Sequence, residues 1–149
     1  DPVRIERGGF GGSSEDDDLL LVGNDAFAVV RLDGDRPRLV ETGSWRPDDN
    51  RKVPHEVGLG DLNDDGRLDL VSLDAGTQMA DILSFSDRGR LHPMTGFTIF
   101  ETKMFSGGEP REFEPRQVLV ADVTGDGADD MVLVAHDRIL VYPQSVVEP

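Results

Sequence analysis

The sequence predicts an all-β protein assembled from about three copies of a four-stranded unit, and three observations carry that expectation. Its apolar residues fall in short runs rich in Val, Leu and Ile, about four to eight residues long and bounded by Gly, Asn or Asp, the signature of strands. No stretch sustains a helical period. One plan also recurs along the chain: an acidic residue, a four-residue apolar run, a turn and a second apolar run, beginning at Asp18, Asp69 and Asp130.

The first unit, residues 1–50, opens with a candidate strand at Val3–Glu6. Asp18–Val30 (DLLLVGNDAFAVV) then supplies two runs around a turn ending in Asp25, and Arg38–Glu41 a fourth. A polar connection, Thr42–Pro54, leads to the second unit, residues 55–102. Its strands are expected at Glu56–Leu59, Asp69–Leu73, Ile82–Phe85 after a longer turn through Gly76, and Thr98–Glu101 beside Phe97. Lys103–Pro115 is a Gly- and Pro-containing insertion. The third unit, residues 116–144, begins at Gln117–Ala121 and continues through Asp130–Tyr142 (DMVLVAHDRILVY), which aligns with Asp18–Val30 without a gap. After Val141–Tyr142 it stops before a fourth strand can form. Four short strands in roughly 40–60 residues is the size of a β-propeller blade, so three such units are read as part of a larger propeller. Trp45, Phe105 and Phe113 fall in the connections and are expected to tuck against the neighbouring blade.

Thirty acidic residues face fifteen Lys and Arg, a formal net charge of −15. That surface repels phosphate backbones and anionic lipid, which argues against nucleic-acid or membrane partners and in favour of divalent cations. There is no cysteine, so disulfides and thiolate metal sites are excluded. No apolar run is long enough to span a membrane, and no signal peptide is visible. The chain opens at Asp1, so it is read as a processed product or a piece of something longer.

The acids concentrate in two loops. Gly60–Leu73 reads GDLNDDGRLDLVSL and Ala121–Val134 reads ADVTGDGADDMVLV. A hard cation such as Ca²⁺ takes about six to eight oxygens from carboxylates, amides and carbonyls. Alternate residues of a tightly curled loop point inward, so Asp61, Asn63 and Asp65 can converge on one ion. Gly66 permits the reversal, the carbonyl of Arg67 adds a ligand, and Asp69 closes the shell. In the second loop the same roles fall to Asp122, Thr124, Asp126, Gly127, the carbonyl of Ala128, and Asp130. Asp64 and Asp129 are expected to point outward and add only field. An EF-hand would need a Glu at position 12, where this chain has Ser72 and Leu133 inside apolar strand-like runs. The first unit carries Phe10, Gly12 and Ser14 at the equivalent first, third and fifth positions, so it lacks the motif; Asp16, Asp17 and Asp18 could hold an ion only in an irregular way, and none is expected there.

These two stretches resemble the FG-GAP/VCBS repeats of the integrin-α-type β-propeller superfamily, whose motif is roughly D-x-N-x-D-G-x-x-D before an apolar strand. Asp61–Asp69 meets it fully; Asp122–Asp130 carries Thr124 in place of Asn. The resemblance implies calcium between the first two strands of a blade, a structural role for that metal, and an extracellular or periplasmic setting. It also implies adhesion, ligand binding, lectin activity or service as a module on an exported enzyme. The tail Asp137–Gln144 is similar to the ending of propeller regions in large exported bacterial proteins.

No catalytic constellation accompanies the loops. His55, His92 and His136 are isolated from one another and from any metal-binding spacing, and Ser13–Ser14 sits in a Gly-rich turn rather than a nucleophile elbow. With one Trp and one Tyr, the aromatic platforms a lectin needs are scarce. The reading is therefore a non-enzymatic, calcium-binding scaffold for protein interaction or adhesion. A carbohydrate-binding propeller, or a module appended to an exported enzyme, is the alternative. Self-association is expected where open blade faces remain uncovered.

Overall fold

A computed structural model describes residues 4–8, 10, 17–23, 25–32, 35–44, 49–86, 90–100, 114–135 and 138–144. Among them the chain is all-β. Eleven strands form three antiparallel sheets, and no helix is long and apolar enough to cross a membrane. The first sheet is the meander β1 (Arg4–Gly8), β2 (Asp18–Val22), β3 (Ala26–Arg31) and β4 (Arg38–Ser44). The second is the meander β5 (Pro54–Gly60), β6 (Asp69–Asp74), β7 (Met79–Phe85) and β8 (Leu91–Thr98). The third has three strands, β9 (Gln117–Ala121), β10 (Asp130–Ala135) and β11 (Arg138–Tyr142). Among the described residues each sheet is open, with two edge strands.

One strand departs from expectation. The fourth strand of the second sheet is Leu91–Thr98, so it ends where the sequence pattern had it begin, at Thr98–Glu101. LHPMTGFT is mostly exposed and contains Pro93, so it carries no apolar alternation to read. An edge strand tolerates both features, because one side of its ladder is free. The register slips between Ile82 and Leu83, leaving Met94 as the extra residue opposite β7. Most of the Lys103–Pro115 segment, together with Trp45, Phe105, Phe113 and His136, lies outside the described residues.

The core sits between sheets. Strand pairing alternates side chains between two faces, here called forward and rear. The forward face of the first sheet presents Leu20, Val22, Phe27 and Val29. These join Val57, Leu59, Leu70, Leu83 and Phe85 on the rear face of the second sheet in one cluster. Phe27 meets Phe85 edge-on at 5.4 Å. The forward face of the second sheet, with Val71, Leu73 and Ala80, joins Val118, Met131 and Leu133 on the rear face of the third. Phe97 and Tyr142 extend that contact at 5.2 Å. The middle sheet is thus covered on both sides, and every residue of β6 is buried. Such a strand reads as a continuous apolar run and not as an alternating one.

The second contact is close because β5 is smooth on its forward side. A Cβ built on Gly58 would lie 2.9 Å from Val118 Cγ1, and one on Gly60 would lie 2.1 Å from Val120 Cγ1 and 2.7 Å from its Cβ. The pair of glycines at alternate positions lets β5 and β9 pack backbone against side chain. Gly60→Ala is expected to destabilise the fold by about 1–3 kcal/mol through overpacking, with Gly58→Ala milder. Chemical denaturation of Gly60→Ala, with and without Val120→Ala, measures this. An unshifted midpoint in the single variant, or no recovery in the double, contradicts the close packing.

Candidate metal centre

Each sheet begins its second strand with an aspartate that is fully buried: Asp18, Asp69 and Asp130 are each 0% exposed. The sequence puts an acid there because the preceding loop must close onto the sheet. The carboxylate accepts a backbone N–H from seven or eight residues upstream: Phe10 to Asp18 at 3.2 Å, Leu62 to Asp69 at 3.0 Å, Val123 to Asp130 at 2.9 Å. The three then differ in how the buried charge is balanced.

Asp18 faces a protein cation, since the Arg31 guanidinium directly across the ladder donates to it at 3.0 Å. Asp17, the next acid back, pairs with Arg7 at 2.7 Å. Phe10, which stands where the other loops have their first aspartate, is 5% exposed and packs on Phe85 at 6.1 Å. In the first sheet Phe10 thus stands at the first loop position and Arg31 opposite the buried aspartate, while residues 11–16 of that loop lie outside the described residues.

Asp130 is balanced by amides. Val123 and Thr124 N–H groups donate to one oxygen at 2.9 Å each, and Gln144 N–H to the other at 3.0 Å. Burial alone raises its pKa, but these amides and the Thr124 hydroxyl outweigh it and hold the group below the usual carboxylate range.

Asp69 has less. Across the ladder stands Ser84 in place of an arginine, and no donor meets hydrogen-bond geometry at Asp69 Oδ1 among the described residues. Burial pushes its pKa up; the Ser84 hydroxyl and the Leu62 amide pull it down; the nearby charges of Asp65 and Asp61 add to the rise, and the net shift is upward. A buried carboxylate oxygen with no partner costs free energy until a cation or proton meets it.

Both acidic loops share one backbone path. Positive φ occurs at the fourth position, Asp64 (56°) and Gly125 (80°), and at the sixth, Gly66 (78°) and Gly127 (93°). In the first loop Asp61 accepts N–H groups from Asn63, Asp65 and Gly66 at 3.3, 3.1 and 2.7 Å. Asn63 Oδ1 accepts from Asp65 at 3.0 Å, and Asp65 from Arg67 at 2.9 Å. In the second, Asp122 accepts from Gly125 at 2.6 Å and Gly127 at 3.0 Å, and Asp126 from Ala128 at 3.0 Å. Thr124 turns its hydroxyl to Asp130. Among the described residues no three His, Asp or Glu side chains form a ready-made cation cage; the carboxylates cap the loop's own amides. The donor set is nonetheless all oxygen, and the first loop adds the unmet Asp69 Oδ1, so the residues of that loop fit a hard cation. The second fits less well, because Asp130 has amides on both oxygens.

Two residues take on roles that their sequence positions do not suggest. Asp129 is expected to add only field, but its carboxylate accepts the Asp61 N–H at 3.0 Å, so the second loop is tied to the base of the first. That contact depends on the stacking of the second and third sheets, which no local pattern encodes. Arg31 is the other, although a cation ending the run opposite Asp18 is a readable signal. His55 Nε2 donates to the Pro115 carbonyl at 2.6 Å and His92 sits on β8, so the two are in separate surroundings. The first loop borders a cleft of about 440 Å³ shared by Asn63, Asp65, Arg67, Ser84 and His92.

The unequal aspartates make opposite forecasts. Asp69→Asn removes a charge that burial disfavours, so melting in chelator should stay level or rise, while any stabilisation by Ca²⁺ shrinks. Asp130→Asn weakens a carboxylate held by three amides, so melting should fall with or without Ca²⁺. Differential scanning calorimetry of both variants decides it; equal losses in chelator would contradict the assigned difference.

No protein-family model matches the chain, and no curated protein matches it. The loops and their geometry therefore carry the functional reading.

Proposed function

We propose that this chain is a calcium-stiffened, non-catalytic interaction module whose three sheets are successive propeller-type blades. One observation carries the reading. Asp61, Asn63 and Asp65 stand at alternate positions of a loop bent at Asp64 and Gly66, and that loop ends on a buried Asp69 oxygen with no donor among the described residues. Four carboxylates, those of Asp61, Asp64, Asp65 and Asp69, lie within nine residues and repel one another, and a divalent cation relieves both that repulsion and the cost at Asp69. Asp61, Asn63, Asp65, the Arg67 carbonyl and Asp69 hold the ion. Asp122, Thr124, Asp126, the Ala128 carbonyl and Asp130 form a second, weaker site. The metal is read as structural, since it would close the loop onto the buried head of β6. The blade-like stacking, the acidic surface of net charge −15 and the cation loops suit an extracellular or periplasmic scaffold, where free calcium is abundant.

Isothermal titration with Ca²⁺ is expected to give two unequal sites, the tighter at or below about 10⁻⁴–10⁻³ M, the range of extracellular modules. Asp65→Ala removes the tighter event and Asp126→Ala the weaker one. Stability in Ca²⁺ exceeds that in chelator by the mass-action increment, about 2.7 kcal/mol at a free ion concentration 100 times the dissociation constant. No heat of binding, together with a melting curve indifferent to chelator, refutes the calcium reading and leaves the fold untouched.

A further inference from the structure

The two acidic loops meet at one bond. Asp61 opens the first loop and is its hub: its carboxylate accepts the N–H groups of Asn63, Asp65 and Gly66, and its own N–H donates to Asp129 Oδ2 at 3.0 Å. Asp129 stands one residue before Asp130, which closes the second loop and is pinned by the amides of Val123, Thr124 and Gln144. The opening residue of one loop is thus a single hydrogen bond from the neighbour of the residue that closes the other. The approach depends on a bare backbone. A Cβ on Gly60 would lie 3.0 Å from Asp129 Oδ2 and 2.1 Å from Val120 Cγ1, so a side chain there would push Asp129 and β9 away.

The equivalent place between the first and second sheets is filled differently. Leu68 stands one residue before Asp69, as Asp129 stands before Asp130. It packs against the apolar cluster that contains Phe10, the first-sheet counterpart of Asp61. An apolar residue therefore meets the sheet without the acidic motif, and an acid meets the loop that has it. The Asp129 carboxylate adds charge beside a loop that already holds Asp61, Asp64, Asp65 and Asp69. A neutral acceptor would make the same bond with less repulsion, so an acid at this place suits a loop that holds a cation.

We infer that Asp129 is a positioning residue that couples the two loops, so that filling either one with Ca²⁺ tightens binding at the other. The inference rests on the calcium reading of both loops. An Asp61 whose carboxylate is held on an ion also holds its own N–H in place. That N–H holds Asp129, and Asp129 carries the backbone of Asp130, onto which the second loop closes. The path runs equally in reverse, and linkage requires the same factor in both directions.

Calorimetric titration with Ca²⁺ and amide hydrogen exchange test it together. In the unaltered chain the weaker, second loop fills when the first is already occupied; in Asp65→Ala it fills with the first loop empty. Its dissociation constant is expected to be about five-fold or more higher in Asp65→Ala. In an Asp129→Ala background the same substitution is expected to leave that constant unchanged. Asp129→Asn keeps an acceptor for the Asp61 N–H, so the coupling persists while the first loop binds more weakly for want of a charge. Exchange reads the path without the second ion: in Asp126→Ala, Ca²⁺ is expected to slow exchange at the Val123 and Thr124 amides, and adding Asp129→Ala abolishes the slowing. Circular dichroism verifies folding, and Asp129→Leu, which copies Leu68, is the substitute if Asp129→Ala misfolds. Second-loop constants that agree in the unaltered chain and Asp65→Ala overturn the coupling and leave two calcium sites standing. A coupling that survives Asp129→Ala overturns the part given to Asp129. Absence of any Ca²⁺ binding in the unaltered chain overturns the calcium reading, and the coupling with it.

Discussion

The burial of a carboxylate at the head of each second strand is the constraint around which the rest is arranged. Asp18, Asp69 and Asp130 are fully buried because each must reach an amide of the loop that returns the chain from the first strand to the second. A carboxylate in that position cannot be left alone in a low-dielectric setting. The three sheets meet the demand with different partners: a guanidinium at Asp18, a set of three amides at Asp130, and at Asp69 the Ser84 hydroxyl and one amide beside two further acids. The motif-bearing loops and the motif-free first loop are thus variants of one device. Phe10 and Arg31 together perform for the first sheet what a cation would perform for the second.

The same loops also bear on how the sheets associate. Among the described residues both buried apolar clusters lie where a forward face meets a rear face. Stability in such an array is a sum of neighbouring contacts. The contact between the second and third sheets is the closer one in its backbone, because Gly58 and Gly60 admit Val118 and Val120. Asp129 then fastens the second loop to the Asp61 amide at the edge of that contact. A cation bound at Asp61, as proposed, would therefore also hold the anchor on which the third sheet's loop hangs and couple loop order to sheet stacking.

Much of this was legible in the chain. Short Val-, Leu- and Ile-rich runs starting at acids located β2, β6 and β10, and the all-β expectation holds. Gly66 and Gly127 marked the bends, and the positive φ values fall on them. The fourth strand of the second sheet was misplaced because Leu91–Thr98 is an exposed edge whose polar residues and Pro93 resemble a loop. Local patterning reports burial, and an edge strand has little of it. The Asp129–Asp61 bond joins residues from different sheets, and only stacking brings them together. Alternating glycines in VGLG were a legible sign that a neighbouring backbone or side chain comes close, though not of which one.

The distinction between the two acidic loops arises from the same geometry and sharpens what a motif means. Asp61–Asp69 and Asp122–Asp130 differ at one proposed side-chain ligand position, Asn63 against Thr124, and both bend at the same two positions. Their closing aspartates are nevertheless unlike, because the groups that reach their second oxygens come from different parts of the chain. After β11 the chain returns an amide, Gln144, to Asp130 Oδ1, whereas in the second sheet the ladder continues and places the Ser84 side chain opposite Asp69. A carboxylate already saturated by amides gains little from an ion, since each ion–oxygen contact must displace or share a hydrogen bond. One with an unmet oxygen gains the full contact. Under the proposed calcium binding, affinity in such loops would depend as much on the strand that pairs with the closing aspartate as on the loop residues, and the more demanding loop is the one lodged in the sheet that both neighbours cover.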